Sequence, residues 1–329
     1  MSGNAITTST ASVKPSELAL VFPGMSPSGY PDLAKFIMVS PRARRLREAA
    51  DRVLGYPLMD KYRTAGEGYS EFSQVAFLIS CFALAEWAQE ELGIEPDLCS
   101  GASFGEKVAI AYAGSLSFSD AVRLTVQLAR CEEAYFSLEY RDVITQSVAR
   151  TPEQSLREIL ADMAAKGEWY DISCFVDEDF FMVSMREQSL ERFNAAVRAT
   201  GGIPLHVMRP PMHSSAFSAL RQRIADSVLT NFRFADPRLP IVADQDGAVV
   251  DTAEGVQSLL LNSIVRPVNW PDTLRSMRER GVTKIYIAGP DALFGRVGCT
   301  TRNFDVVTVN QRMALRPKRS LRYAERKPL

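Results

Sequence analysis

Gly101-Ala102-Ser103-Phe104-Gly105 follows a strand-like run, Pro96-Asp97-Leu98-Cys99-Ser100, and leads into a helix-like one. That is the setting in which a G-x-S-x-G pentapeptide turns sharply from strand to helix and lifts a serine hydroxyl above a sheet. Glycines on both sides let the backbone bend that tightly. A serine is a weak nucleophile until a base takes its proton, so such a turn demands a partner. The chain holds only two histidines, His206 and His213, which narrows the search for that partner.

The surrounding sequence reads as alternating strands and helices. Leu18 to Phe22 is a short apolar strand closed by Pro23-Gly24, and residues 31–54 and 70–93 read as helices. The second is apolar almost all round, which marks a central, buried helix. Ser117, three before Asp120, starts a further helix in the manner of a capping box. This alternation predicts an α/β fold with a mainly parallel sheet. The middle of the chain changes character. A strand over 143–149, a helix over 152–166, a hairpin over 170–185, a helix over 188–199 and a strand over 203–208 give the order β-α-β-β-α-β of a ferredoxin-like module. Helices over 214–231, 253–263 and 270–280 and strands over 239–243 and 283–287 complete the reading.

Composition excludes several classes. At 329 residues, 46% hydrophobic and 23% charged, the chain is an ordinary globular protein with room for a large core. A net charge of −1 argues against a general nucleic-acid binder. No apolar run approaches the roughly 20 residues that span a bilayer, so no membrane association is expected. Residues 1–16 lack the apolar stretch of a signal peptide and read as a flexible tail. Five scattered cysteines suggest reduced core thiols in a cytoplasmic protein. Basic residues crowd positions 42–47, read as solvated surface, and 316–329, read as a basic tail.

Several motifs line up in order: Phe22-Pro23-Gly24-Met25-Ser26, the Ser103 pentapeptide with Glu106, Pro210-Pro211-Met212-His213-Ser214, Arg266-Pro267-Val268-Asn269-Trp270 and Ala288-Gly289-Pro290. Together they resemble the malonyl-CoA:acyl carrier protein acyltransferase family, over about residues 17 to 312. The resemblance implies a large α/β-hydrolase-like domain of residues 17–140 and 209–315, interrupted by a ferredoxin-like small domain of residues 141–208. It places Ser103 on the family's nucleophile and His213, 110 positions later, on its base. It assigns the backbone carbonyl of Asn269 to orienting that base, and the backbone N–H groups of Met25 and Phe104 to the oxyanion hole. His206, on an apolar strand, is expected to be structural.

Departures from the family bear on the substrate. In malonyl-transferring relatives an arginine about 25 positions past the serine binds the malonyl carboxylate; alignment puts Leu128 there. Without it a buried carboxylate would lose charge-assisted bonds of about 1.5–3 kcal/mol each. Ala102 stands in place of a usual histidine, and Met212 lies in an altered specificity segment before the base. All three changes imply a larger or neutral acyl group, with Ala102, Leu128 and Met212 as substrate-binding residues. Should Arg130 be the true counterpart of the arginine, a malonyl-CoA transacylase would follow instead. The resemblance is nearest to discrete carrier-to-carrier acyltransferases of macrolactam polyketide assembly, which move an aminoacyl or dipeptidyl group. An editing thioesterase of the same fold and a catalytically silent docking subunit are the alternatives. No tightly bound cofactor or metal is expected; the phosphopantetheine arm would come with the carrier protein, as donor or acceptor. Arg150, Met208, Arg296 and Arg302 are the expected docking residues at the cleft.

Overall fold

Two sheets organise the described residues, which in this computed structural model are 17–26, 29–66, 68–291 and 293–316. The expected N-terminal tail, and the basic C-terminal tail beyond Arg316, lie outside them. The strands are β1 (Leu18–Phe22), β2 (Leu98–Gly101), β3 (Val143–Ala149), β4 (Tyr170–Asp177), β5 (Phe180–Arg186), β6 (Ile203–Met208), β7 (Ile241–Val242), β8 (Val249–Val250), β9 (Val268–Asn269), β10 (Lys284–Ala288) and β11 (Asp305–Val309). The large sheet runs β11-β10-β1-β2-β7-β8. It is parallel except for the β7–β8 pair. β1 and β2 are in register from Ala19 opposite Leu98 to Phe22 opposite Gly101. Their carboxyl ends therefore release loop 23–26 and the serine turn side by side, at the edge where open α/β sheets bind ligands.

Both glycines of the pentapeptide are required by packing. A Cβ on Gly101 would stand 2.0 Å from the Gly105 carbonyl, and one on Gly105 would stand 2.2 Å from the Phe22 carbonyl oxygen. The turn and β1 are thus in backbone contact, and no side chain fits between them.

Helix Glu71–Leu92 is buried on nearly every face, as its composition predicts; Ser70 caps its start and left-handed Gly93 ends it. The single helix expected over 31–54 is two, Tyr30–Val39 and Pro41–Leu54. Pro41 has no N–H to continue a helix and disfavours helical Ser40, which caps the second helix instead. The arginines there are not merely solvated. Arg42 pairs with Glu90 and Glu91, and Arg45 with Glu86, tying this helix to Glu71–Leu92. The expected helix over 214–231 is shorter, Ser218–Ser227, flanked by 3-10 turns.

The small sheet runs β6-β3-β5-β4, antiparallel throughout, the strand order of a ferredoxin-like fold. One face packs on helices Glu153–Ala165 and Leu190–Ala199 through Val148, Leu156, Phe181, Val183 and Phe193. The molecule is thus α/β, a large domain on a mainly parallel sheet plus a small ferredoxin-like one. The small sheet also carries a fifth strand that the sequence reading did not foresee. β9 pairs parallel with β4, so Cys174 faces Val268 and Phe175 faces Asn269.

Candidate active site

Ser103 sits at the turn with φ 51° and His213 in its loop with φ 60°, both in the left-handed region. Non-glycine residues enter that region at a cost of about 1–3 kcal/mol, and do so where surrounding structure demands it. The two side chains meet: Ser103 Oγ lies 2.7 Å from His213 Nε2. On its other side His213 Nδ1 lies 2.6 Å from the Ser263 carbonyl oxygen. A carbonyl only accepts, so Nδ1 carries the proton and Nε2 is left to accept from the serine. Burial is the main reason the imidazole pKa is pushed down, to about 4; the Ser263 carbonyl opposes that and the Lys107 charge assists it. The ring is therefore neutral near pH 7, as a proton acceptor must be.

Ser263 replaces the Asn269 carbonyl expected from the resemblance, and the chain explains why. In helix Ala253–Val265 the Ser263 carbonyl would be bonded by the N–H four residues on, but that residue is Pro267, which has none. Asn269 is engaged elsewhere. Its N–H donates to the Asp244 carbonyl at 2.7 Å, its carbonyl accepts from Thr273 Oγ1 at 2.9 Å, and its side chain caps helix Trp270–Glu279. The Arg266-Pro267 pair, four residues past a helical serine, was the signal available in the sequence.

The histidine loop is clasped from the small sheet. Asp171 Oδ2 accepts from Ser214 Oγ at 2.7 Å and from the Ser215 N–H and Oγ at 3.1 Å. Beneath the serine, its own N–H donates to Asp244 Oδ2 at 2.5 Å. The Asp244 carboxyl lies beside the buried Glu106 carboxyl, which accepts from Gln245 Nε2 at 2.6 Å. Burial, with the Asp244 charge adding, holds Glu106 well above the usual carboxylate range. Neither the Met25 nor the Phe104 backbone N–H donates to a described residue, and both residues border the same space as Ser103.

That space is a cavity of about 810 Å³ between the two sheets, large enough for a drug-sized chain. Leu128 and Met212 line it. Arg130 does not; it turns outward on helix Phe118–Glu139 and pairs with Glu71. Ala102 is corrected. It is fully buried in the core behind the turn, with Val21 and Phe294, and does not border the cavity, because side chains alternate as the chain leaves β2. His206 is also corrected: it is exposed and borders the cavity, where a core position was expected. The half-buried Lys107 and the buried Glu132, which the sequence reading missed, lie in the cavity wall with Lys107 Nζ 3.9 Å from Glu132 Oε1. Of the expected docking residues, Met208 lines the cavity and Arg150 and Arg296 are exposed. Arg302 is already engaged, 3.7 Å from Asp177 and 3.6 Å from Glu178.

Residues 147–208 match a family model described as the VinK acyltransferase small domain. Over 309 residues the chain is 26% identical to the malonyl CoA-acyl carrier protein transacylases of Salmonella typhimurium (strain LT2) and Escherichia coli (strain K12). Those alignments cover 89% of this chain and 95% of each relative. Over nearly its whole length the chain is thus similar to the malonyl-CoA:acyl carrier protein acyltransferases. The protein is accordingly an acyltransferase. Its fold is that of FabD from Acinetobacter baumannii, with a TM-score of 0.79 at 19% identity over 92% of this chain and 96% of the other. It is likewise that of a malonyl-transacylase in complex with a type II PKS acyl-carrier protein, PlMCAT:AntF. There the TM-score is 0.77 at 24% identity over 90% of this chain and 96% of the other.

Proposed function

We propose that this acyltransferase carries an acyl group lacking a carboxylate, of aminoacyl or short peptidyl type, from one acyl carrier protein to another in polyketide assembly. The observation that carries the reading is Leu128. It lies on the wall of the cavity that opens from Ser103, where malonyl-transferring relatives would need a cation. Lys107 does not supply one freely, because Glu132 stands beside it and the pair is neutral. A malonyl carboxylate would bring an uncompensated charge into an apolar wall, at a cost of several kcal/mol. The match of the small domain to the VinK acyltransferase small domain, and the fold shared with a malonyl-transacylase in complex with a type II PKS acyl-carrier protein, support transfer on carriers in polyketide assembly.

The chemistry follows from the dyad. His213 Nε2 takes the Ser103 proton as Oγ attacks the thioester carbonyl, forming the C–O bond and a tetrahedral oxyanion. The Met25 and Phe104 N–H groups face that oxyanion; losing one such donor costs about 3 kcal/mol. The intermediate collapses, the C–S bond breaks, and His213 returns the proton to the departing phosphopantetheine thiol. A second carrier thiol then gives its proton to His213 and attacks the Ser103 ester; the new C–S bond forms, the C–O bond breaks, and His213 returns the proton to Ser103 Oγ. Phosphopantetheine is supplied by the carriers and is no resident cofactor.

The test is intact-mass analysis with an aminoacylated carrier and a second, empty carrier. The acyl group should appear on Ser103 and then on the second carrier. Ser103→Ala should abolish the adduct, and His213→Ala should slow it by several orders of magnitude. Release of free acid without transfer would mean hydrolysis, and efficient malonyl loading would refute the reading of Leu128.

A further inference from the structure

Among the described residues that line the acyl cavity, Glu132 is the acidic side chain that is both more than nine-tenths buried and left without a hydrogen bond. It is 6% exposed on helix Phe118–Glu139, one turn after Leu128, so the two share a face of the cavity wall. The same helix lines the cavity with the apolar Leu128, Ala129 and Phe136 and with Glu133 and Ser137, which unlike Glu132 are exposed. No described donor bonds either carboxylate oxygen; the Lys107 ammonium, 3.9 Å from Oε1, is beyond hydrogen-bond reach and also lies over the Phe104 ring. Burial raises the Glu132 pKa above the usual carboxylate range, and the Lys107 charge opposes part of that rise.

A carboxylate buried with an incomplete set of donors is costly, and nothing in the fold requires it there. Helix Phe118–Glu139 would form as well with a methionine or leucine at that position. What completes the set must come from the cavity's occupant, and must donate. An ammonium fits best: it offers several N–H donors and a charge that the apolar wall would otherwise repel.

We propose that Glu132 is a specificity-determining residue that binds the amino group of the acyl chain held in the cavity. This rests on the reading of the substrate as an aminoacyl-type chain and deepens it. The Glu132 carboxylate bonds the incoming ammonium, while Lys107 balances the charge when the site lacks substrate. Chains of equal length that end in methyl lose those bonds and leave the carboxylate unsatisfied. This is discrimination by a polar group that only the right substrate can satisfy.

The test uses pantetheine thioesters of ω-aminoacyl chains of several lengths, each paired with its alkyl isostere, together with malonyl-pantetheine. Formation of acyl-Ser103 is followed by intact mass on the full-length protein. At one chain length or more the amine should acylate at least about tenfold faster than its isostere, equivalent to about 1.4 kcal/mol. Glu132→Gln should bring that ratio to within about twofold, and Glu132→Met should invert it. Thermal midpoints of both variants report folding, and the methionine variant, free of a buried charge, should be at least as stable as wild type. A ratio near unity at every length, or one that survives in both variants, overturns the inference while alkyl loading leaves the acyl-group reading standing. Loading of malonyl in preference to every amine and alkyl chain overturns the reading itself.

Discussion

At the residue scale, the base is set by what surrounds it more than by its identity. His213 is held in one tautomer by a helical carbonyl that Pro267 leaves free, and burial pushes its pKa down to about 4. Protonation would remove the acceptor that Ser103 needs. Acylation measured as kcat/KM should stay level from about pH 8 to about pH 5 and fall below that with a midpoint near 4. A midpoint near the ordinary histidine value would show that the ring is solvated in the working enzyme. Glu106 titrates in the opposite sense. Its carboxyl is raised well above 4.5 in the folded protein, so above that pH the folded state keeps a proton that the unfolded chain releases. Stability from this group therefore falls as pH rises, by at most about 1.4 kcal/mol per pH unit. Glu106→Gln keeps a donor toward Asp244 without the proton. Urea denaturation should show it gaining on wild type between pH 5 and pH 8; parallel pH profiles would contradict the raised Glu106 pKa.

At the scale of single elements, helix Phe118–Glu139 decides what the cavity admits. Leu128 and Glu132 are four apart and point the same way. That changes what Leu128→Arg should do. On an empty wall an arginine would bind a malonyl carboxylate, but here Glu132 would intercept it across one turn. Leu128→Arg alone should raise malonyl loading little, whereas Leu128→Arg with Glu132→Gln should raise it about tenfold or more, read as the ratio of malonyl to butanoyl adduct. Equal gains from both would mean the two side chains do not meet. Much of this was legible in the sequence. The pentapeptide, the buried helix after Ser70 and the β-α-β-β-α-β order are local patterns, carried by glycine spacing, caps and periodicity. The Ser103–His213 meeting was available only through the resemblance, since 110 intervening residues give no local signal. Lys107 and Glu132 were missed because charged residues on a helix ordinarily face solvent, and only the packed tertiary structure shows these two facing inward. β9 was missed because two residues carry no periodicity.

At the scale of the whole molecule, the arginines expected to dock a carrier differ in how free they are. Arg150 and Arg296 are exposed and in no ion pair with a described residue, while Arg302 is held by the β4–β5 turn. Arg141 and Arg209, outside the sequence expectations, border the cavity itself. If carriers dock here, Arg150→Glu or Arg296→Glu should slow transfer from carrier-bound acyl groups several-fold at low salt and less at high salt. Transfer from a pantetheine thioester should be unaffected, and equal losses with both donors would place these arginines in the fold or the chemistry instead. The cleft's two walls are also stitched together. The residues from Ser263 to Asn269 hold the base at one end and add a strand to the small sheet at the other. Asp171 and Asp177 of that sheet reach back to Ser214 and to the Cys299 N–H at 2.7 Å and 3.0 Å. β9 also covers the free edge of β4, which would otherwise offer unpaired backbone to a stranger. The small domain is therefore less a lid than a fixed jaw. Heating should melt both domains in a single calorimetric transition, and the segment 141–208 cut out alone should aggregate through its bared β4 edge.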